Sequence, residues 1–242
     1  MSNYALIFAG GVGSRMNSKA RPKQFLEIHG KPIIIHTIEH FENHIEIDAI
    51  SLVIVEEWLE YAKKLIEKYN FKKVKWIISG GNSALDSQFK GLEAIENSVG
   101  YSEDDIVLIH DGVRPLINEK LITDCIESVK KYGSAVTVAP AIETIIRTDK
   151  ENSIVDTVPR SECYLARAPQ CFKIGEVLET HKKAKSDNKY DFIDSTSMML
   201  HYGYKLHTVE GSAENIKVTN PADFYICRAL LDAKENSQIY GI

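Results

Sequence analysis

The chain has 242 residues, 44% of them apolar and 26% charged, with a formal net charge of −5 from 29 basic and 34 acidic side chains. These are ordinary values for a globular protein with a sizeable core. They exclude a disordered chain, and they speak against a general binder of nucleic acid or of an anionic membrane.

Taken in chain order, the sequence alternates between two periods. Residues 4–9 form a short apolar run with no alternation, the pattern of a strand buried on both faces of a parallel sheet. Nothing before them reads as a secretory leader, and no window approaches the roughly 20 apolar residues that span a bilayer, so a cytoplasmic location is expected. Residues 50–55, 74–78, 106–110 and 135–139 repeat the strand pattern. Between them, residues 33–41, 58–69, 83–95 and 119–132 place apolar side chains three and four apart, as helices do. Such alternation predicts an α/β fold with one doubly wound, mostly parallel, Rossmann-like sheet. The alternation breaks after residue 139. Residues 142–146, 154–158 and 164–168 read as short strands joined by polar turns, a β-arm insertion centred on about 140–160. Helices return at 174–184 and 195–202, late strands at 206–209 and 216–218, and a last helix at 223–233, with Pro221 suited to its start. One domain over residues 1–242, carrying an arm, is the simplest division. Cys125, Cys163, Cys171 and Cys227 form no CxxC pair, so free thiols are expected rather than a zinc site or a disulfide framework.

The most informative segment directly follows the first strand: Gly10-Gly11-Val12-Gly13-Ser14-Arg15-Met16. Glycines allow close backbone approach, and a run of free N–H groups at the carboxyl end of a central strand makes an anion cradle. A dinucleotide fingerprint would need a third glycine where Met16 stands. A P-loop would need Gly-Lys-Ser/Thr, whereas Gly30-Lys31 is followed by Pro32. With Arg15 and Lys23 nearby, the cradle suits a triphosphate; the plain alternative is a tight turn with solvated basic residues.

The run GGVGSRM, then RPKQFLEIHGKPIIIHTIEHF, resembles the opening of the sugar-phosphate and polyol-phosphate cytidylyltransferases. These include the methylerythritol 4-phosphate enzymes of isoprenoid synthesis and the ribitol 5-phosphate enzymes of teichoic acid and capsule synthesis. Further matches come in order: Gly80-Gly81 with Asp86-Ser87, His110-Asp111-Gly112-Val113-Arg114-Pro115, Pro159-Arg160, Pro169-Gln170, and Glu214-Asn215-Ile216-Lys217-Val218-Thr219. The resemblance implies a nucleotide-diphospho-sugar transferase type of sheet. It also implies a homodimer joined through the arm, and transfer of CMP from CTP to a phosphorylated polyol with release of pyrophosphate.

The nucleophile in that reaction is a phosphate already ionised at neutral pH, so no general base is required; fixed cations that join two anions should dominate. By resemblance, Arg15, Lys23 and Lys217 hold the phosphates. Lys217 lies between Ile216 and Val218, so as a strand residue it would point away from the buried face, as would a plain surface lysine. Asp111, at the end of a buried strand, is a natural ligand for Mg2+ beside substrate phosphates and also a substrate-binding residue. His110 beside it is expected to pack. The resemblance gives nucleotide binding to Ala9, Gly10, Gly11, Gly13, Gly81, Asn82, Ser87 and Gly112. On the acceptor side it points to Arg160 for the phosphate, Thr144 reaching from the arm into a neighbouring subunit, and Asp194. Several positions depart from the family pattern: Asn82 replaces a frequent Asp, Ala84 a common Arg, and Ala168 and Ile193 replace threonines. Ala9-Gly10-Gly11 leans toward the polyol branch. A ribitol 5-phosphate-like acceptor is therefore preferred, with methylerythritol 4-phosphate or another phosphorylated acceptor as alternatives.

Overall fold

Alternate residues of the first strand serve opposite layers: Ala5 and Ile7 pack into one apolar cluster and Leu6 into another, all fully buried. That two-sided burial is the physical reason for a central sheet covered on both faces. The computed structural model describes residues 1–9 and 21–240, with side chains of the last helix described through residue 236. In chain order the elements are β1 (Asn3–Ala9), β2 (Glu27–Ile28), β3 (Lys31–Pro32), α1 (Ile33–Asn43), β4 (Ala49–Ile54), α2 (Leu59–Lys68), β5 (Val74–Ser79), α3 (Ala84–Val99) and β6 (Ile106–Asp111). Then come α4 (Glu119–Tyr132), β7 (Ser134–Pro140), β8 (Ile145–Thr148), β9 (Ile154–Val158), β10 (Tyr164–Lys173), α5 (Ile174–Ser186), α6 (Ser195–His201), β11 (Thr208–Glu210) and α7 (Pro221–Tyr240).

The main sheet runs β11-β7-β10-β6-β1-β4-β5. Its pairs are parallel except where β10 lies antiparallel between β6 and β7. Helices α1, α2 and α4 cover one face through Ile38, Phe41, Leu65 and Ile122. Helices α3, α5 and α6 cover the other through Leu92, Leu178 and Met198. At Gly91 of α3 an added Cβ would lie 2.7 Å from the Leu6 side chain, so helix and sheet approach closely only because that residue is glycine. Helix ends carry local signals. Ser83 caps α3 by accepting from the Asp86 N–H, Asn118 caps α4, and Gly133 ends α4 in the left-handed region at φ 81°. The hairpin β8–β9 is a separate two-stranded sheet.

Two expectations need correction. Residues 164–168 are not an arm strand but the first half of β10, which enters the main sheet; Pro169 and a bulge between Ala166 and Gln170 interrupt its pattern. Residues 216–218 are not a strand. They cross the loop after β6, where no ladder partner is available, and Val218 donates a single hydrogen bond to the Val113 carbonyl at 3.0 Å. The remaining shifts are small: the first arm strand begins at Ile145, β11 at Thr208, and α7 at Pro221, where the Asn220 side chain accepts from the Asp223 N–H.

Candidate active site

The carboxyl ends of β1, β4, β5 and β6 open onto one cleft of about 710 Å³, the place where open α/β sheets hold ligands. Its walls include Ala9, Lys23, Gly81, Asn82, Asp111 and Lys217. The cradle residues Gly10, Gly11, Gly13 and Arg15 lie outside the described residues. Just beyond them in the chain, a 3₁₀ turn at Lys23–Phe25 puts Lys23 on the cleft, and the buried Gln24 donates from Nε2 to the Ala9 carbonyl at 3.0 Å. Gln24 thus fixes the carbonyl at the end of β1, a role sequence reading had not assigned.

The opposite wall is the loop from β5 to α3, and it is tied from several sides. The Gly81 N–H donates to Ser87 Oγ at 3.0 Å, and Ser87 Oγ donates onward to the Ser83 carbonyl at 2.9 Å. The Asn82 N–H donates to Asp86 Oδ2 at 3.2 Å, while Lys185 Nζ holds Asp86 Oδ1 at 2.9 Å. The hydrogen bond from Lys185 keeps the Asp86 carboxyl below its usual range, against the opposing effect of burial. A Cβ on Gly81 would fall 2.0 Å from Asp86 Oδ2, so glycine is required there. Ser87, 1% exposed, stands behind the loop rather than on the cleft surface. Lys90 also lines the cleft and donates to the Gly80 carbonyl at 2.9 Å. Gly112 is packing space: its N–H donates to the Phe8 carbonyl at 2.9 Å, and an added Cβ would press on Ala9 at 3.0 Å.

Asp111 ends β6 at the centre of the site and is 7% exposed. Its two oxygens are divided between two cations: Oδ1 meets Lys217 Nζ at 2.6 Å and Oδ2 meets Arg114 Nε at 2.8 Å. Burial pushes the Asp111 carboxyl up, but the charges of Lys217 and Arg114 outweigh it and hold the group below its ordinary range. Arg114 Nη1 also donates to the Asn215 carbonyl at 2.8 Å, which anchors the chain carrying Lys217. Two cations against one carboxylate leave a local positive excess, the balance that suits anionic substrates. Arg114 was legible in its motif but had been given no role. His110 is fully buried and tilted against Phe41, with Nε2 donating to the Arg114 carbonyl at 3.1 Å, as a packing residue would be.

A smaller pocket of about 160 Å³ adjoins the cleft and shares Phe8, Ala84, Asp111 and Lys217 with it. Its further walls include Arg114, Arg167, Ala168, Gln170, Ile193 and Asp194. Asp194 caps α6, accepting from the Ser197 N–H at 2.8 Å and from Gln170 Nε2 at 2.7 Å. Thr144 and Arg160 are not brought to either hollow. Both are exposed on the arm, and Arg160 Nη1 donates to the Ile142 carbonyl at 3.1 Å. Among the described residues, no group of three or more His, Cys, Asp or Glu side chains is placed to hold a metal. None of the described helices is long and apolar enough to cross a membrane.

A mostly parallel α/β sheet whose carboxyl-edge cleft is floored by a carboxylate between two cations defines the class: an α/β protein built to bind an anionic, nucleotide-sized ligand. The chain belongs to the IspD family, described as 2-C-methyl-D-erythritol 4-phosphate cytidylyltransferase, whose model matches residues 4–233. It is similar to the ribitol-5-phosphate cytidylyltransferase of Streptococcus agalactiae serotype V, at 50% identity over 242 residues and 100% of both chains. It is also similar to the 2-C-methyl-D-erythritol 4-phosphate cytidylyltransferase of Clostridium botulinum, at 36% identity over 95% of this chain and 97% of that one. Among solved structures, the 4-diphosphocytidyl-2C-methyl-D-erythritol synthase of Anaerococcus prevotii matches with a TM-score of 0.83 and 27% identity, covering 96% of each chain.

Proposed function

We propose that this chain transfers CMP from CTP to ribitol 5-phosphate, or a polyol phosphate close to it, giving a CDP-polyol and pyrophosphate. The observation that carries the reading is the pair of adjoining hollows with Asp111 and Lys217 on their common wall, a nucleotide-sized cleft beside a pocket fit for a short acceptor. The full-length similarity to ribitol-5-phosphate cytidylyltransferases supports the choice of acceptor.

An oxygen of the acceptor phosphate attacks the α-phosphorus of CTP; the bond to the bridging oxygen breaks and pyrophosphate leaves with the electron pair. No proton has to be removed from the nucleophile. Lys217 and Lys23, with Arg15, neutralise the charge that accumulates as the two anions meet. Gly10, Gly11 and Gly13 offer backbone N–H groups to the triphosphate. The cytosine edge is read by the backbone near Ala9 and by Gly81 and Asn82. Ser87 and Gly112 act by holding those segments in place.

Asp111 fits a magnesium ion that takes most of its ligands from phosphates and water, since such an ion needs one or two protein carboxylates. Asp111 is held ionised, and a carboxylate has lone pairs beyond those facing Lys217 and Arg114. The ion would draw charge from the triphosphate; Asp111 would hold it, and Lys217 and Arg114 would keep Asp111 oriented.

The acceptor site is completed by a second copy of the chain. Ile142, Ile154 and Val155 on or beside the arm are 74%, 65% and 60% exposed, an apolar surface that association would cover. A crossing arm would bring Arg160 and Thr144 to the partner's acceptor phosphate. Mixing Arg160→Ala with Lys217→Ala, each strongly impaired alone, should restore activity, because one site of the mixed dimer keeps both residues.

The deciding test is pyrophosphate release with CTP, magnesium and a panel of ribitol, glycerol, erythritol and methylerythritol phosphates. Fastest turnover on ribitol 5-phosphate is expected. Fastest turnover on 2-C-methyl-D-erythritol 4-phosphate, supported by the family description and the Clostridium relative, would assign the chain to that branch instead.

A further inference from the structure

Three cations line the smaller pocket, and two are already engaged: Arg114 and Lys217 both face Asp111. The third, Arg167, is half-buried, and its Nε is buried with no hydrogen-bond partner among the described residues. A buried guanidinium N–H without an acceptor is costly unless something else satisfies it. Burial lowers the Arg167 pKa, and the neighbouring charge of Arg114 adds to that effect.

The backbone around Arg167 is built to aim it. Ala166 pairs with Val138 and Gln170 with Val136, so residues 167–169 stand opposite Thr137 alone, a bulge that turns a side chain out of the ladder's alternation. Thr137 Oγ1 donates to the Pro169 carbonyl at 2.7 Å and Asn215 Nδ2 to the Ala168 carbonyl at 2.7 Å. Gln170 ties the far end of the bulge to Asp194. The fold therefore fixes Arg167 on the pocket wall from both sides.

We infer that Arg167 is a specificity residue for the acceptor, donating hydrogen bonds to the hydroxyls of its polyol chain. This rests on the transferase reading proposed for the chain. The nucleophilic phosphate must meet the α-phosphate of CTP, and the wall shared by cleft and pocket, Asp111 and Lys217, is where that can happen. The hydroxylated carbon chain is then the part that extends into the small pocket. Ala168 and Ile193 on that wall carry no polar side-chain atom, so they cannot read a hydroxyl. A planar guanidinium with several fixed donors can.

The test measures pyrophosphate release with saturating magnesium for the parent, Arg167→Ala, Arg167→Gln and Arg167→Lys. Ribitol 5-phosphate and the shorter glycerol 3-phosphate serve as acceptors. Arg167→Ala should raise the KM for ribitol 5-phosphate roughly 10–100-fold, the range for hydrogen bonds to a charged group. The KM for CTP should stay unchanged and the effect on glycerol 3-phosphate should be smaller. Arg167→Lys should fall between parent and alanine, because it keeps the charge and loses the fork. Should Arg167→Ala melt below the parent, Arg167→Gln carries the comparison. An unchanged ribitol 5-phosphate KM, an equal rise for CTP, or an equal penalty on both acceptors overturns the assignment. A parent that releases pyrophosphate with no polyol phosphate overturns the transferase reading itself, and that outcome is separate because it is seen without any variant.

Discussion

The floor of the cleft and the arm hold residues of the same kind in opposite states. Asp111, Arg114 and Lys217 satisfy one another within 2.6–2.8 Å at the buried end of β6. Arg160 and Thr144 sit exposed on and beside β8–β9, amid apolar side chains that lack cover. The contrast teaches that the floor is assembled by folding within one chain, whereas on the proposed function the arm contributes only through a second chain.

The floor gives the largest expected effect. Lys217→Ala should cut kcat by about 10²–10³-fold in a pyrophosphate assay. Asp111→Ala should lose activity as well as about 3 kcal/mol of stability in urea denaturation, because it leaves the buried Arg114 without its carboxylate. Near-parental turnover in Lys217→Ala would mean that the ion pair only braces the loop. At the arm, Ile154→Asp should shift the chain from dimer to monomer by light scattering and lower activity. The core's melting should change by only about 0.5 kcal/mol, as for other exposed substitutions. An active monomer would erase the contrast.

At neutral pH the smallest effect comes from the quiet side of the molecule. His181 in α5 is buried, donates from Nδ1 to the Tyr190 hydroxyl at 2.7 Å, and has Nε2 without a partner among the described residues. Burial, helped by the Lys185 charge and opposed by Asp86, lowers its pKa from 6.5 to about 3. Because the folded value lies below the unfolded one, the neutral ring's stabilisation is fully present above about pH 6.5 and is lost as pH falls toward 3. Urea midpoints measured across that window should slope less in His181→Phe than in the parent.

The parallel strands were legible because burial on both faces writes unbroken apolar runs, as in residues 106–110. Helix α4 was legible to the residue because Asn118 and Gly133 mark its ends. β10 was legible only in its first half, residues 164–168, since a bulge and Pro169 break its period, and its place in the main sheet rather than the arm leaves no local signal. At the site, Asp111 and Lys217 were readable from their motifs, but their pairing is a contact across 106 positions that spacing cannot reveal. Arg167 carries no signal in the sequence because its meaning lies in the bulge that aims it. Gln24 and Lys90 act on backbone carbonyls, Ala9 and Gly80, that side-chain patterns do not mark.

The wall that cleft and pocket have in common bears on how the reaction ends. A CDP-polyol is a single molecule that would lie across it, gaining the contacts of both halves while losing translational freedom once. Departure of that conjugate, more than bond making, is then the event most exposed to tuning, and its accumulation would throttle entry of both starting compounds.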